Sequence, residues 1–321
     1  MTFPATNLLH AMPRPRLPPP WSLQAFTNRL AHRLLPACDW NIANARQEIR
    51  WLTEHVLQER KANGMDGAGR RALQGFVRTR VVKHKPLQYI LGTQPFCDLD
   101  IITRPPVLIP RWETEEWTTR LHTLLIPHLL TRPPSQPFRI LDLCTGTGCI
   151  ALSLAAHLPP QSATIQALDI APHALALADL NTRTLAPRLQ NPVAFIQADI
   201  MLDPITNAIP RKACDLVVSN PPYVTNEEYA GLEPDVKEWE DQRALVAGEG
   251  GMAFHWRIAR VVARTLLREG GGDGVGVPRL VMEIGGRHQV EGVTRVLKEE
   301  GFKRVEVWED MAGRKRCVVA W

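Results

Sequence analysis

The stretch richest in chemistry is Asn220-Pro221-Pro222-Tyr223, placed directly after the apolar run Asp215-Leu216-Val217-Val218-Ser219. Proline has a fixed φ and no N–H, so two in a row end a strand's hydrogen-bond ladder and leave carbonyl oxygens free to face a ligand. The Asn220 side-chain carbonyl and a backbone carbonyl of this turn can together grip an NH2 group, while Tyr223 offers a flat face to a planar amide or base. Such a nitrogen is a poor nucleophile because its lone pair is delocalised. Two acceptors on its hydrogens favour the pyramidal nitrogen of a transition state over the planar ground state, which is differential stabilisation. Neither a histidine nor a carboxylate base is needed beside it, since positioning against an alkyl donor supplies the rest. The bland alternative is a turn that merely ends a buried strand.

A second stretch, Leu141-Asp142-Leu143-Cys144-Thr145-Gly146-Thr147-Gly148-Cys149-Ile150-Ala151, reads as an apolar strand, a glycine turn and a helix. Gly146 and Gly148 let backbone approach a ligand closely, and the helix start offers unpaired N–H groups. By itself this turn serves a dinucleotide equally well. Three features turn the reading toward S-adenosylmethionine. Asp142 stands four residues before the first glycine, where it could accept from the ligand; Ala151 stands where a third glycine would be; and Asn-Pro-Pro-Tyr follows the fourth strand. Asp169 closes the second strand about twenty residues further on, where a carboxylate takes ribose hydroxyls. Asp199 closes the third strand and is placed to accept from the adenine amino group, with Ile200 against the ring. Singly these acids read as strand-end caps; together they mark the carboxyl edge of a parallel sheet, where ligands bind.

The elements that must hold these residues are legible as repeated strand–helix units. Strands are expected at Arg139–Cys144, Thr164–Asp169, Val193–Gln197, Asp215–Asn220, Leu280–Ile284, Val305–Trp308 and Arg316–Trp321, with helices at Ile150–His157 and His173–Leu180. That alternation implies an α/β fold with a mostly parallel sheet covered on both faces. The short Glu309–Lys315 connection implies an antiparallel hairpin at the end, and Gly270–Val277 an inserted surface loop. Ahead of this lies a helical segment with two stripes, Trp21, Phe26, Leu30 and Leu34, then Ile42, Ala45, Ile49, Leu52 and Val56. Gly64–Gly69 is expected to be the loop between two helices, and Leu99–Ile102 with Val107–Ile109 a hairpin joining the domains. The division that follows is a tail at 1–20, a helical domain at 21–92, a hairpin and linker at 93–125, and the catalytic domain at 126–321.

Composition excludes several classes. The 321 residues are 45% apolar and 22% charged, a globular mix that suffices for two domains. No run of eighteen apolar residues occurs, which argues against a membrane span. The six cysteines form no C-x-x-C pair and the ten histidines no H-E-x-x-H, so no metal site is expected. The net charge of +5 permits a nucleic-acid or ribosomal partner without requiring one. No acidic residue precedes Asp39, while Arg14, Arg16, Arg29 and Arg33 do. This suits a mitochondrial transit peptide, although Pro18, Pro19 and Pro20 argue against one long amphipathic helix there; an inert tail on a cytoplasmic protein is the alternative.

From about Ala43 to Trp321 the chain resembles the HemK/PrmC-type glutamine methyltransferases of peptide chain release factors. The likeness rests on Pro86-Leu87-Gln88-Tyr89-Ile90-Leu91-Gly92 with Phe96, on Leu108-Ile109-Pro110-Arg111-Trp112-Glu113-Thr114-Glu115, on Asn220 to Tyr223, and on Glu283-Ile284-Gly285 with Gln289 and Asp310 through Gly313 to Arg316. The Ile-Pro-Arg stretch separates this family from DNA adenine methyltransferases, which share Asn-Pro-Pro-Tyr. The resemblance implies a class I methyltransferase fold, a Rossmann-like seven-stranded sheet, with a small N-terminal helical domain that helps recognise the release factor. It implies S-adenosylmethionine as donor and the glutamine of a Gly-Gly-Gln tip as acceptor; a monomer that needs neither nucleic acid nor membrane is a separate expectation. By the same resemblance Asn220, Pro221, Pro222 and Tyr223 hold the glutamine, and Cys144, Thr145, Gly146, Thr147, Gly148, Asp169 and Ile200 line the donor pocket. Trp239-Glu240-Asp241 stands where the family usually carries an aromatic-Glu-Pro, and the missing proline is expected to loosen a loop near the substrate. Two other readings stay open: methylation of an exocyclic amine on adenine or guanine in nucleic acid, and a non-catalytic methyltransferase-like binding protein.

Overall fold

The computed structural model describes residues 22–133, 135–202, 205–268 and 276–321. The expected tail, its targeting role, Trp21 and most of the Gly270–Val277 loop lie outside them. The chain divides after His84 into two compact units.

In the first unit each α-helix starts on a side chain able to take a free backbone N–H. Ser22 accepts from Ala25 ahead of Leu23–Leu34, Asn41 from Ala43 and Asn44 ahead of Ile42–Glu59, and Asp66 from Gly69 ahead of Gly67–Val82. Phe26, Leu30 and Leu34, then Ala45, Ile49, Leu52 and Val56, then Leu73 and Val77 are buried, a helical stripe on each element. Gly67 and Gly69, expected in a loop, lie inside the third helix. The Asp66 cap starts that helix early, and Gly69 is small enough to pass Met65, whose sulfur would lie 2.7 Å from an added Cβ.

The second unit takes in Pro86–Gly92, which the sequence division had left with the helices. Leu87, Tyr89 and Ile90 are buried there and the Tyr89 hydroxyl donates to the Val107 carbonyl at 2.7 Å. A hairpin follows, β1 (Thr93–Phe96) antiparallel to β2 (Leu99–Ile102). The expected partner of Leu99–Ile102 was Val107–Ile109, but β2 pairs backwards instead. Cys97 and Asp98 both adopt positive φ, as a two-residue hairpin turn requires, while Pro105 and Pro106 have no N–H with which to continue a ladder. Val107 and Ile109 are buried without forming a strand.

Seven strands make the main sheet: β3 (Phe138–Leu143), β4 (Ala163–Asp169), β5 (Val193–Gln197), β6 (Leu216–Ser219), β7 (Leu280–Glu283), β8 (Val305–Glu309) and β9 (Lys315–Ala320), in the order β5-β4-β3-β6-β7-β9-β8. The first five run parallel; β9 is antiparallel to β7 and to β8, the expected terminal hairpin. Alternate residues feed two cores. Ile140, Val218 and Val281 pack with the helices Trp112–Leu130 and Cys149–His157; Leu141, Val217 and Met282 pack with Ala253–Val261 and Arg287–Glu299. Burial on both faces explains why these strands are apolar runs rather than alternations. On the first face His122 meets Ser153 at 3.3 Å and stacks on His157 at 4.9 Å, joining the two helices.

Strand order reverses between β3 and β6, so a crevice opens at their carboxyl ends. Leu143 and Ser219 are register partners there, and the Ser219 hydroxyl donates to the Leu143 carbonyl at 2.8 Å. The glycine turn and Asn220 therefore leave the sheet side by side.

Candidate active site

One wall of the crevice is built from backbone. After β3 the chain turns through left-handed φ values at Cys144 (61°), Gly146 (56°) and Gly148 (81°) before the helix Cys149–His157. A Cβ on Gly148 would lie 3.2 Å from Ala178 and 3.3 Å from Leu152, so close packing keeps that position small. A Cβ on Gly146 would meet nothing within 4 Å, because that glycine faces the open cleft. Its N–H donates to Asp169 Oδ2 at 2.9 Å, and the Ala171 N–H donates to Asp169 Oδ1 at 2.9 Å. Each carboxylate oxygen keeps a lone pair for a further donor. Burial pushes the Asp169 carboxyl above its usual range, against the pull of those two amides.

The cleft encloses about 800 Å³, its open mouth included. Its apolar lining comes from Val107, Leu108, Ile200 and Phe254, and its polar groups include Asp169, Asp199 and Asn220. Asp199 accepts from the Met201 N–H at 2.8 Å, and Arg257 holds the Ile200 carbonyl at 2.8 Å. Cys144, Gly146, Asp169, Asp199, Ile200, Asn220 and Pro222 thus share one cavity.

Asp142, Thr145, Thr147 and Gly148 do not line it, nor do Pro221 and Tyr223 on either side of Pro222. Asp142, read in the sequence as an acceptor for the ligand, is fully buried behind the turn and takes the Thr145 hydroxyl at 2.6 Å. Burial pushes its carboxyl up to about 7, opposed by Thr145 and helped by the charge of Asp169. The Thr145 N–H donates to Leu168 at 2.9 Å and the Thr147 carbonyl accepts from Asn181 at 3.0 Å. These residues shape the turn from behind.

Asn220 and Pro222 line the cleft beside the glycine turn, and a buried side-chain network backs Asn220 from behind. Asn220 Nδ2 donates to Thr114 Oγ1 at 3.1 Å, and that hydroxyl donates to Glu283 Oε2 at 2.6 Å. Trp117 Nε1 donates to the same oxygen at 2.8 Å, and the Tyr223 hydroxyl reaches Glu283 Oε1 at 3.3 Å. Glu283 is 1% exposed, and burial pushes its carboxyl up while its three donors pull it down. The Tyr223 ring lies on Gly285, where an added Cβ would come within 2.9 Å of it. The Tyr223 backbone is pinned as well, its N–H on the Leu245 carbonyl at 3.1 Å and its carbonyl under Gln289 Nε2 at 3.0 Å. Pro221 and Pro222 are buried. Thr114, Glu283 and Gln289 sit in stretches already quoted as family-like. Their hydrogen bonds could not be read there, because Thr114 and Glu283 meet across 169 residues of chain.

The segment expected to loosen without its proline is held by other means. The Asp241 N–H donates to the Pro106 carbonyl at 2.7 Å, a bond proline could not make. Its carboxylate takes the Arg243 N–H at 2.9 Å, and Glu240 beside it is buried in an ion pair with Arg111.

A doubly covered seven-stranded sheet with this strand order, a glycine turn at the switch point and an amide-bearing turn beside it define a class I methyltransferase; residues 121–232 match the family model described as the methyltransferase small domain. The release factor glutamine methyltransferase of Geobacter sulfurreducens is 33% identical over 86% of this chain and 89% of its own. The probable MRF1 mitochondrial N(5)-glutamine methyltransferase mtq1 of Schizosaccharomyces pombe is 33% identical over 74% of this chain and 75% of its own. The mitochondrial MRF1 N(5)-glutamine methyltransferase MTQ1 of Saccharomyces cerevisiae is 35% identical over 67% of this chain and 62% of its own. The chain belongs to the release factor glutamine methyltransferase family.

Proposed function

We propose that this enzyme methylates the side-chain amide nitrogen of the glutamine in a release factor's Gly-Gly-Gln motif, with S-adenosylmethionine as donor. The observation that carries the reading is the fixed direction of Asn220. Its NH2 is spent on Thr114, so its carbonyl is the end left for the cleft that it shares with Asp169.

The lining suits a nucleoside. Asp169 has acceptor capacity for a diol, Ile200 and Phe254 supply apolar faces for a ring, and Gly146 leaves room for close approach. When bound, the donor supplies a methyl group carried on a sulfonium. Asn220 Oδ1 and the Pro221 carbonyl would hold the two hydrogens of the glutamine amide, with the Tyr223 ring against its plane. Holding both hydrogens favours the pyramidal nitrogen on which charge develops as the C–N bond forms, a gain confined to the transition state. After transfer that nitrogen is cationic and acidic, so its proton leaves to solvent without a dedicated base. The names of the yeast relatives support a mitochondrial factor as substrate and mitochondria as the site of action.

The test is transfer of labelled methyl to a purified mitochondrial release factor, beside the same factor with the tip glutamine changed to alanine and beside nucleic acid. Label on the wild-type factor alone is expected. Label on nucleic acid alone would replace the substrate with an exocyclic base amine.

A further inference from the structure

An asparagine amide has two ends of similar shape and opposite hydrogen-bonding sense, so Asn220 works only if something chooses its direction. Glu283, as a carboxylate, accepts and cannot donate. It takes the single hydrogen of the Thr114 hydroxyl at 2.6 Å. Thr114 is itself 2% exposed, and with its hydrogen spent it has only lone pairs to offer a neighbour. The group 3.1 Å away on Asn220 must then be the NH2. Two further donors keep the carboxylate in register: Trp117 Nε1 at 2.8 Å and the Tyr223 hydroxyl at 3.3 Å.

We infer that Glu283 and Thr114 are positioning residues which set the polarity of the Asn220 amide and so hold its carbonyl toward the acceptor substrate. The inference rests on the proposed role of Asn220 and extends it. Neither residue touches the reacting atoms; both act through Asn220, and Glu283 acts through Tyr223 as well. Without the relay the amide turns over freely, and an NH2 facing the substrate's own NH2 offers it no acceptor.

Thr114→Val keeps the shape and removes both hydrogen-bonding senses. It should lower kcat about 10²-fold, the scale of removing one preorganised transition-state hydrogen bond, with donor affinity by calorimetry unchanged within a factor of about two. Thr114→Ser keeps the relay and should retain most of the turnover. Glu283→Gln keeps a carbonyl for Thr114 and Trp117 and should lose far less than Glu283→Leu.

The decisive measurement repeats Thr114→Val in an Asn220→Asp background. Aspartate has two equivalent oxygens and no direction to set, and the Thr114 lone pairs oppose it. There Thr114→Val should leave kcat equal or higher. Loss by the same factor in both backgrounds would assign Thr114 a purely structural role and overturn the relay. Should Asn220→Asp prove inactive, equal losses in Thr114→Ser and Thr114→Val would overturn it too. All ratios are taken on whichever acceptor the wild-type enzyme labels. Labelling of nucleic acid instead of the release factor would therefore overturn the substrate and leave the relay to be judged on its own ratios.

Discussion

The two walls of the cleft are made in different ways. The wall with the glycine turn is local: one strand end, a turn with three left-handed residues, and a carboxylate fixed by two backbone amides. The wall with Asn220 is supported from behind by distant parts, with Thr114 and Trp117 from one helix, Glu283 from β7 and Gln289 from the helix beyond it. A pocket that holds a ligand by shape and main chain tolerates change in its side chains. A pocket that presents one amide in one direction depends on each member of a buried network, because a half-satisfied network is worse than none.

The contrast breaks most sharply at Asn220. Asn220→Ala should lower kcat by roughly 10³-fold and leave donor binding nearly intact, measured by steady-state transfer beside calorimetry. Equal loss of both would erase the distinction between the walls. Asp169→Ala is the mirror case. It should weaken donor binding about 10–100-fold, the worth of hydrogen bonds to a charged group, while kcat at saturating donor stays close to wild type.

Two glycines sharpen the comparison. An added Cβ at Gly251 would lie 2.3 Å from the Tyr223 carbonyl, at a φ of +82°. Gly251→Ala should therefore cost about 1–3 kcal/mol in denaturant unfolding and lower turnover, with donor affinity spared. Gly146→Ala meets open space but a φ of +56°. It should destabilise by about 1 kcal/mol and act on donor affinity instead.

The smallest effect lies on the seam between the walls, where His122 on the Thr114 helix meets Ser153 on the glycine-turn helix. Burial, and then the neighbouring charge of His157, lowers its pKa from 6.5 to about 4. The unfolded chain takes up that proton between those two values and the folded chain does not, so stability is lost as pH falls through the window. Between pH 7 and pH 5 this amounts to on the order of 1–2 kcal/mol. A His122→Gln variant should show a correspondingly flatter fall by denaturant titration; identical slopes would remove the seam from the account.

The sequence carried one wall better than the other. That Gly146, Asp169, Asp199 and Ile200 gather at one cleft was readable because each stands just after a strand end in a regular alternation. The burial of Asp142 was not legible because period alone does not say that the sheet covers that side chain from behind. The hairpin partner of Leu99–Ile102 was misread because a two-residue turn at Cys97-Asp98 contains no glycine or asparagine-glycine signal. Asn220 and Tyr223 were visible, but not their supports: no spacing rule connects Thr114 to Glu283. The replacement of proline by Asp241 suggested looseness, and the new backbone bond to Pro106 arises only once the chain has folded.

An acceptor that cannot turn over also discriminates. On the proposed reading a fixed carbonyl welcomes the two hydrogens of glutamine and repels the oxygens of glutamate, its deamidation product. The two differ by a single heavy atom and hardly in shape, so fit alone would not separate them. The direction imposed from Glu283 lets the enzyme tell an intact tip from a chemically aged one, and a damaged factor would leave the site unmethylated.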